Sequence, residues 1–272
     1  MSTTTTATTT TRERPVVVRA VRDALAVTGR NLIAYRRVPQ LLVFSTIQPV
    51  IFVLMFRYVF GEAISVPGTI PYVDFLMPGI FVQTVVFGAI ATAIGLASDM
   101  KTGLMERFRS LPMARSAVLA GRTLADLTRN VFVVLLMVAV GFLVGFRIHT
   151  DALGLMGGIL LLLLFGYAMS WIFATIGLAV GDPETAQAAA FPMLAPLVFA
   201  SSLFVPVAKM PGWLQPWADH QPVSVTANAV RYLTLGDSPL GHASDVWQAL
   251  AWCAAILVVF APIAVRRYRR AV

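Results

Sequence analysis

Residues 99–130 read DMKTGLMERFRSLPMARSAVLAGRTLADLTRN, a polar and basic island in a mostly apolar chain. The run before it, near 76–98, and the run after it, near 131–146, carry no charged residue. A helix needs about 20 apolar residues to cross the hydrocarbon layer, and runs of that kind on both sides of a charged stretch read as two spans joined by a loop. The second of these runs is short unless its helix begins back near Leu124, inside the island. This pairing predicts an all-α polytopic membrane protein.

Composition gives the same answer. The chain has 272 residues, 58% hydrophobic and 12% charged, whereas soluble domains carry about 25% charged residues. It could not solvate a globular surface of its size. Further apolar runs lie throughout, so the expectation is one transmembrane domain over 39–272 with spans near 41–60, 76–98, 124–146, 154–180, 188–207 and 247–265. Pro49 falls in the first, and Pro192 and Pro196 in the fifth, where a missing N–H permits a kink. Gly158, Gly166 and Gly177 in the fourth allow close helix approach.

The net charge of +8 matters less than its placement. With the N-terminus inside, seventeen Lys and Arg residues fall on inner segments, within 12–37, 101–129 and 266–270. Only Arg147, Lys209 and Arg231 fall outside, with Arg57 near the outer end of the first span. This bias predicts cytoplasmic termini and a cytoplasmic 99–130 loop. Charges that flank spans do not form a nucleic-acid face, so nucleic acid is excluded as a partner. One cysteine, Cys253, permits no intramolecular disulfide, and His149, His220 and His242 lack ligand spacing.

Ahead of the first span, residues 1–15 are a Thr-rich tail expected to be disordered. In 16–38, Val18, Val21, Leu25 and Leu32 recur at helical spacing among Arg19, Arg22, Asp23 and Arg30. This predicts an amphipathic helix lying in the membrane interface, or else a short helix of a soluble subdomain. The segment 208–246 is long, half polar and bears Trp213 and Trp217, residues suited to interfacial depth. Ser224 to Leu235 reads as a short helix with Val225, Ala229 and Tyr232 on one face. Two readings stand for the segment: a helical hairpin re-entering the membrane from outside, or an ordered extracellular loop.

No phosphate-binding loop, nucleophile elbow or H-E-x-x-H is present, so the chain is not expected to hydrolyse ATP or act as an enzyme alone. The expected span interiors hold no carboxylate or histidine, which speaks against proton coupling. Asp126, beside Arg122 and Arg129, reads as a helix-end ion pair. Energy must then arrive through a partner. Within the island, Leu104, Phe108 and Leu111 fall at i, i+4 and i+7, with Glu106, Arg107 and Arg109 around them and Pro112 as a stop. A short helix with an apolar face and charged flanks suits insertion into a groove on another protein. Its basic residues would alternatively anchor to anionic membrane lipid. In GDPETAQ at 181–187, Asp182 and Pro183 read as N-cap and N1 of the fifth span.

Several stretches resemble the ABC-2 type transporter permeases, and most of all their daunorubicin-resistance (DrrB-like) branch. They are RNLIAYRRVPQ at 30–40, YVFGEAI ending at 64, FLMPGIFVQ at 75–83, MERFRSLPMARSAVLAGR at 105–122 and FVPVAKMPGWLQPWADHQPVSVTANAVRYL at 204–233. The resemblance implies a six-helix exporter permease of the bacterial plasma membrane that pairs with a second copy or a sister permease. It also implies two separately encoded ATPase subunits, which carry the ATP and Mg, while this chain holds no cofactor. The matching motif makes Glu106, Arg107, Phe108, Arg109, Leu111 and Pro112 the ATPase-coupling residues. It further implies a substrate path between the second and fifth spans of the two copies, with Phe81, Gln83, Phe87, Phe191, Met193 and Phe199 as candidate lining residues. Lipid-facing or core packing is the other reading of each. The scarcity of intramembrane charge points to a hydrophobic or amphiphilic cargo, a drug or a lipid. A proton-coupled transporter and a non-transporting scaffold are the rival functions.

Overall fold

In a computed structural model, residues 29, 40–61, 64, 66, 70–103 and 115–271 are described, and these form a bundle of α-helices with no β-strand among them. The tail at 1–15, all but Gly29 of the interfacial helix expected at 16–38 and the docking residues Glu106 to Pro112 lie outside the described residues. Helix α1, Gln40–Leu54, continues through a π-helical turn at Met55–Val59. Then come α2, Tyr72–Lys101, α3, Arg115–Val144, and α4, Ala152–Val180. Helix α5 is Pro183–Phe199, α6 is Gln215–His220, α7 is Pro222–Leu235 and α8 is Ala243–Ala271.

Among the described residues, four helices have the length and apolar composition to cross a membrane: Tyr72–Lys101, Gly121–Val144, Ala152–Val180 and Ala243–Arg270. The apolar stretch of α1, Thr46–Val59, and α5 are shorter. Helix α2 is apolar on every side and accordingly sits at the centre, with an unbroken buried run from Tyr72 to Val86. It packs on α1, α3, α4, α5 and α7. Helix α8 buries only the stripe Ala249, Cys253, Ile256, Ala264 and Tyr268, and leaves Trp247, Trp252, Val258 and Val259 exposed. An apolar face turned outward on a helix of this length suits contact with lipid.

Two glycines set how closely the bundle packs. A methyl at Gly79 would overlap the Leu203 carbonyl, and one at Gly177 would overlap the backbone of Ala93. Without a Cβ the α2 and α4 backbones meet directly. Gly158, by contrast, has ordinary spacing to the Val230 side chain, 3.7 Å from where a methyl would lie.

Helices α3 and α5 differ most from the expected spans. Helix α3 starts at Arg115, well before Leu124, so the end of the polar island is itself helical. Helix α5 spans 183–199 and not 188–207. Its early start follows from Asp182, which accepts from Thr185 N at 3.0 Å as N-cap, with Pro183 behind it. Its early end follows from Pro192 and Pro196, which remove two main-chain donors from so short a helix. The chain then unwinds through 200–206, and side chains take up the freed carbonyls. Gln221 Nε2 donates to Leu197 O at 2.8 Å and to Ala200 O at 3.2 Å.

Candidate functional site

Helices α2 and α3 run antiparallel and are joined by a seam of polar rungs. Arg122 Nη1 donates to Asp99 Oδ2 at 3.1 Å. Thr92 Oγ1 donates to Asp126 Oδ2 at 2.6 Å. Arg129 Nη2 donates to Gly88 O and, at 3.3 Å, to Asn130 Oδ1. Descending α2 from Asp99 through Thr92 to Gly88 matches ascending α3 from Arg122 through Asp126 to Arg129, as antiparallel helices require. Glycines make room for the guanidinium groups: a methyl at Gly95 would overlap Arg122 Nη2, and one at Gly88 would crowd Asn130 and Arg129.

The seam corrects the helix-end reading of Asp126. Because α3 starts at Arg115, Asp126 lies inside the helix and is 1% exposed. Asp74, in the first turn of α2, is buried as well and accepts from Arg147 N at 2.9 Å. The described helices therefore do enclose carboxylates. Both accept hydrogen bonds, which is how a buried carboxylate is made tolerable.

Beside the seam is a half-open cleft of about 710 Å³. Gln48 and Pro49 of α1, Val133 of α3 and Gln187 of α5 border it. Helix α2 supplies two rows. Gln83, Phe87, Ile90 and Ile94 form a largely apolar row, and Thr84, Gly88, Ala91, Gly95 and Ser98 form a row of small residues. Arg122, Arg129 and Asn130 of α3 line the cleft next to the small row, and no acidic residue is among the lining residues described. Gln83 is 2% exposed and its Oε1 has no hydrogen-bond partner among the described residues.

Of the candidate pathway residues, the structure brings Gln83 and Phe87 to this cleft. Phe191 stands at its edge, its ring 6.5 Å from that of Phe87 and inclined at 71°. Phe81 is 1% exposed and packs perpendicular to Phe146 in the core. Met193 and Phe199 are exposed on α5 and do not line the cleft. Composition alone did not flag Gln48, Arg122, Arg129 and Asn130 as cleft residues. A signal was present: Gly88 and Gly95 are seven apart, as are Arg122 and Arg129.

The cytoplasm-facing expectation for 99–130 makes the ends of the seam important. Lys101 Nζ lies 2.7 Å from Asp182 Oδ1. The Lys101 ammonium, aided by Thr185 N–H and Oγ1, holds the Asp182 carboxyl down to about 2. The end of α2 is thereby tied to the start of α5. At the opposite end of the bundle, Arg231 is fully buried and not a loop cation. Its Nε donates to Phe75 O at 3.0 Å, Nη1 to Ser202 Oγ at 3.2 Å and Asn228 Oδ1 at 2.7 Å, and Nη2 to Ser202 O at 2.7 Å and Leu203 O at 3.2 Å. Its guanidinium carbon also lies 3.9 Å from the centroid of the Phe75 ring. All five donors of the guanidinium are used.

A helical bundle with several membrane-length helices and a cleft of ligand size between them has the build of a membrane protein that handles a small molecule. The chain belongs to the ABC-2 type transporter family, whose profile matches residues 22–235. It is 38% identical over 257 residues to the daunorubicin resistance ABC transporter permease protein DrrB1 of Streptomyces coeruleorubidus, covering 94% of this chain and 89% of that protein. It is also 28% identical over 258 residues to the doxorubicin resistance ABC transporter permease protein DrrB of Mycobacterium tuberculosis, covering 86% of this chain and 87% of that protein. The chain is a permease subunit of an ABC exporter, and ATP hydrolysis belongs to a separate subunit.

Proposed function

We propose that this permease carries hydrophobic or amphiphilic molecules, drugs or lipids, out of the cytoplasm or the inner leaflet of a bacterial plasma membrane. It works as a pair with a second copy or a sister permease, driven by two ATPase subunits that bind ATP and Mg. Six helices span the membrane with both termini in the cytoplasm, and 208–246 re-enters it from outside as a helical hairpin. The drug resistance stated in the relatives' names supports a drug among the cargoes.

The observation that carries this reading is the continuity between the cleft and the 99–130 island. The Arg122–Asp99 pair closes the seam at the island's edge, and Lys101–Asp182 ties the same edge to α5. The ATPase subunits close on ATP and push on Glu106, Arg107, Phe108, Arg109, Leu111 and Pro112. That push reaches α2, α3 and α5 together, the helices that wall the cleft, and rocks the pair between inward-open and outward-open states. ATP supplies the bias because it binds the closed ATPase pair better than the open one.

The test is export of daunorubicin into inverted vesicles by the permease co-expressed with its ATPase. Phe108→Ala or Glu106→Ala is expected to abolish export while the permease stays folded and membrane-inserted. Normal export and normal ATPase assembly in both variants would overturn the docking assignment.

A further inference from the structure

The two rows on α2 carry more than a path, because each has a chemically distinct end. The apolar row Phe87, Ile90 and Ile94 ends at Gln83, whose buried Oε1 has no partner among the described residues. A buried acceptor left bare is costly and marks a place for a donor. At the other end Arg122 gives Nη1 to Asp99 and lays Nη2 on the cleft wall against Gly95. The Asp99 and Asp126 carboxylates accept within the seam and do not line the cleft. Among the described residues, the charged side chains presented there are therefore cationic. Gln83 and Gly95 are twelve residues apart on one helix, which at 1.5 Å per residue is about 18 Å.

We propose that the cleft recognises an elongated apolar molecule with an acid at one end and a hydroxyl at the other: the acid on Arg122, the body along Phe87, Ile90 and Ile94, and the hydroxyl donating to Gln83 Oε1. This rests on the cleft being the substrate path and specifies its cargo class. The acid lies nearest the polar island, at the depth where an inner-leaflet amphiphile carries its charge.

The experiment uses the full permease in nanodiscs of zwitterionic lipid and three rigid probes of similar length. These are lithocholate, 5β-cholanate, which lacks the hydroxyl, and lithocholyl alcohol, which lacks the acid. Lithocholate is expected to bind about tenfold or more tighter than either, since one hydrogen bond, stronger where charge assists it, is removed from each weaker probe. Gln83→Leu should erase the preference over cholanate and leave the preference over the alcohol. Arg122→Gln should do the reverse, and Arg122→Lys should retain part of the acid preference. Equal binding of all three probes to the unaltered chain overturns the proposal without any variant, so misfolding cannot hide the result. Variants that weaken all three probes equally also overturn it. Ile94→Trp, which fills the cleft, separates the two readings through daunorubicin export. Lost export with no probe preference keeps the path and rejects the cargo class, whereas intact export rejects the path itself.

Discussion

Arg231 shows how a buried cation is held when, among the described residues, no carboxylate lies within salt-bridge distance. Its five donors go to three main-chain carbonyls, a serine hydroxyl and an asparagine oxygen, and Phe75 offers its ring face. The carbonyls of Ser202 and Leu203 need these donors because α5 has already ended at Phe199. Arg231→Met keeps the volume and removes every donor. It is expected to lower stability in detergent by about 3 kcal/mol or more, since each bare acceptor costs about 1–3 kcal/mol. Arg231→Lys should restore only part of this, because an ammonium has three donors and no planar fork. Thermal unfolding of the purified permease measures both, and an unchanged transition in the methionine variant would show that water replaces the guanidinium. In sequence this residue reads as an ordinary outer-loop charge, since its partners at Phe75 and Ser202 are 156 and 29 residues away.

At the scale of elements, helix register decides which small residues matter. Gly158, Gly166 and Gly177 look equivalent along α4, yet only Gly177 meets a neighbouring backbone, at Ala93. A methyl at Gly166 would lie 3.1 and 3.2 Å from the side chains of Val85 and Asn130. Gly177→Ala should force α2 and α4 apart and cost about 1–3 kcal/mol, the usual range for overpacking. Gly158→Ala has room, and should be neutral or stabilising by up to about 1 kcal/mol through the lower backbone entropy of alanine in a helix. Unfolding of both variants side by side checks the contrast, and equal effects would contradict the close α2–α4 approach. The same register argument explains the polar seam. Periodicity finds α2 and α3 separately, but only their antiparallel alignment sets Gly95 under Arg122 and Thr92 beside Asp126.

For the whole molecule, the side from which each residue of 208–246 can be reached tests its re-entry into the membrane. Helix α7 is buried against α2, α4 and α8, while Trp213 is 80% exposed and Trp217 51%. Cys253, the one cysteine, is buried, so a Cys253→Ala background suits accessibility mapping. A cysteine at Asp237 should react with an impermeant thiol reagent added outside intact cells. Cysteines at Val223, Ala227 and Val230 should stay protected. Fast reaction at every position from 213 to 235 would reject re-entry, and labelling of Asp237 only from the cytoplasmic side would reverse the orientation.

Hydropathy and charge along the chain were enough to determine an α-helical membrane protein, the two apolar runs that flank the polar island 99–130, and Asp182–Pro183 as a helix start. Each of these depends on neighbouring residues, whose effects accumulate within one span or one turn. The tertiary structure decided what lies far apart in sequence. The rungs Asp99–Arg122, Thr92–Asp126 and Gly88–Arg129 join residues 23, 34 and 41 positions apart. Whether a buried charge finds its partner depends on the relative rotation and shift of whole helices. Neither hydropathy nor periodicity carries that information, so the cleft, the Gln83 Oε1 left bare among the described residues and the buried Arg231 became visible only once the helices were packed.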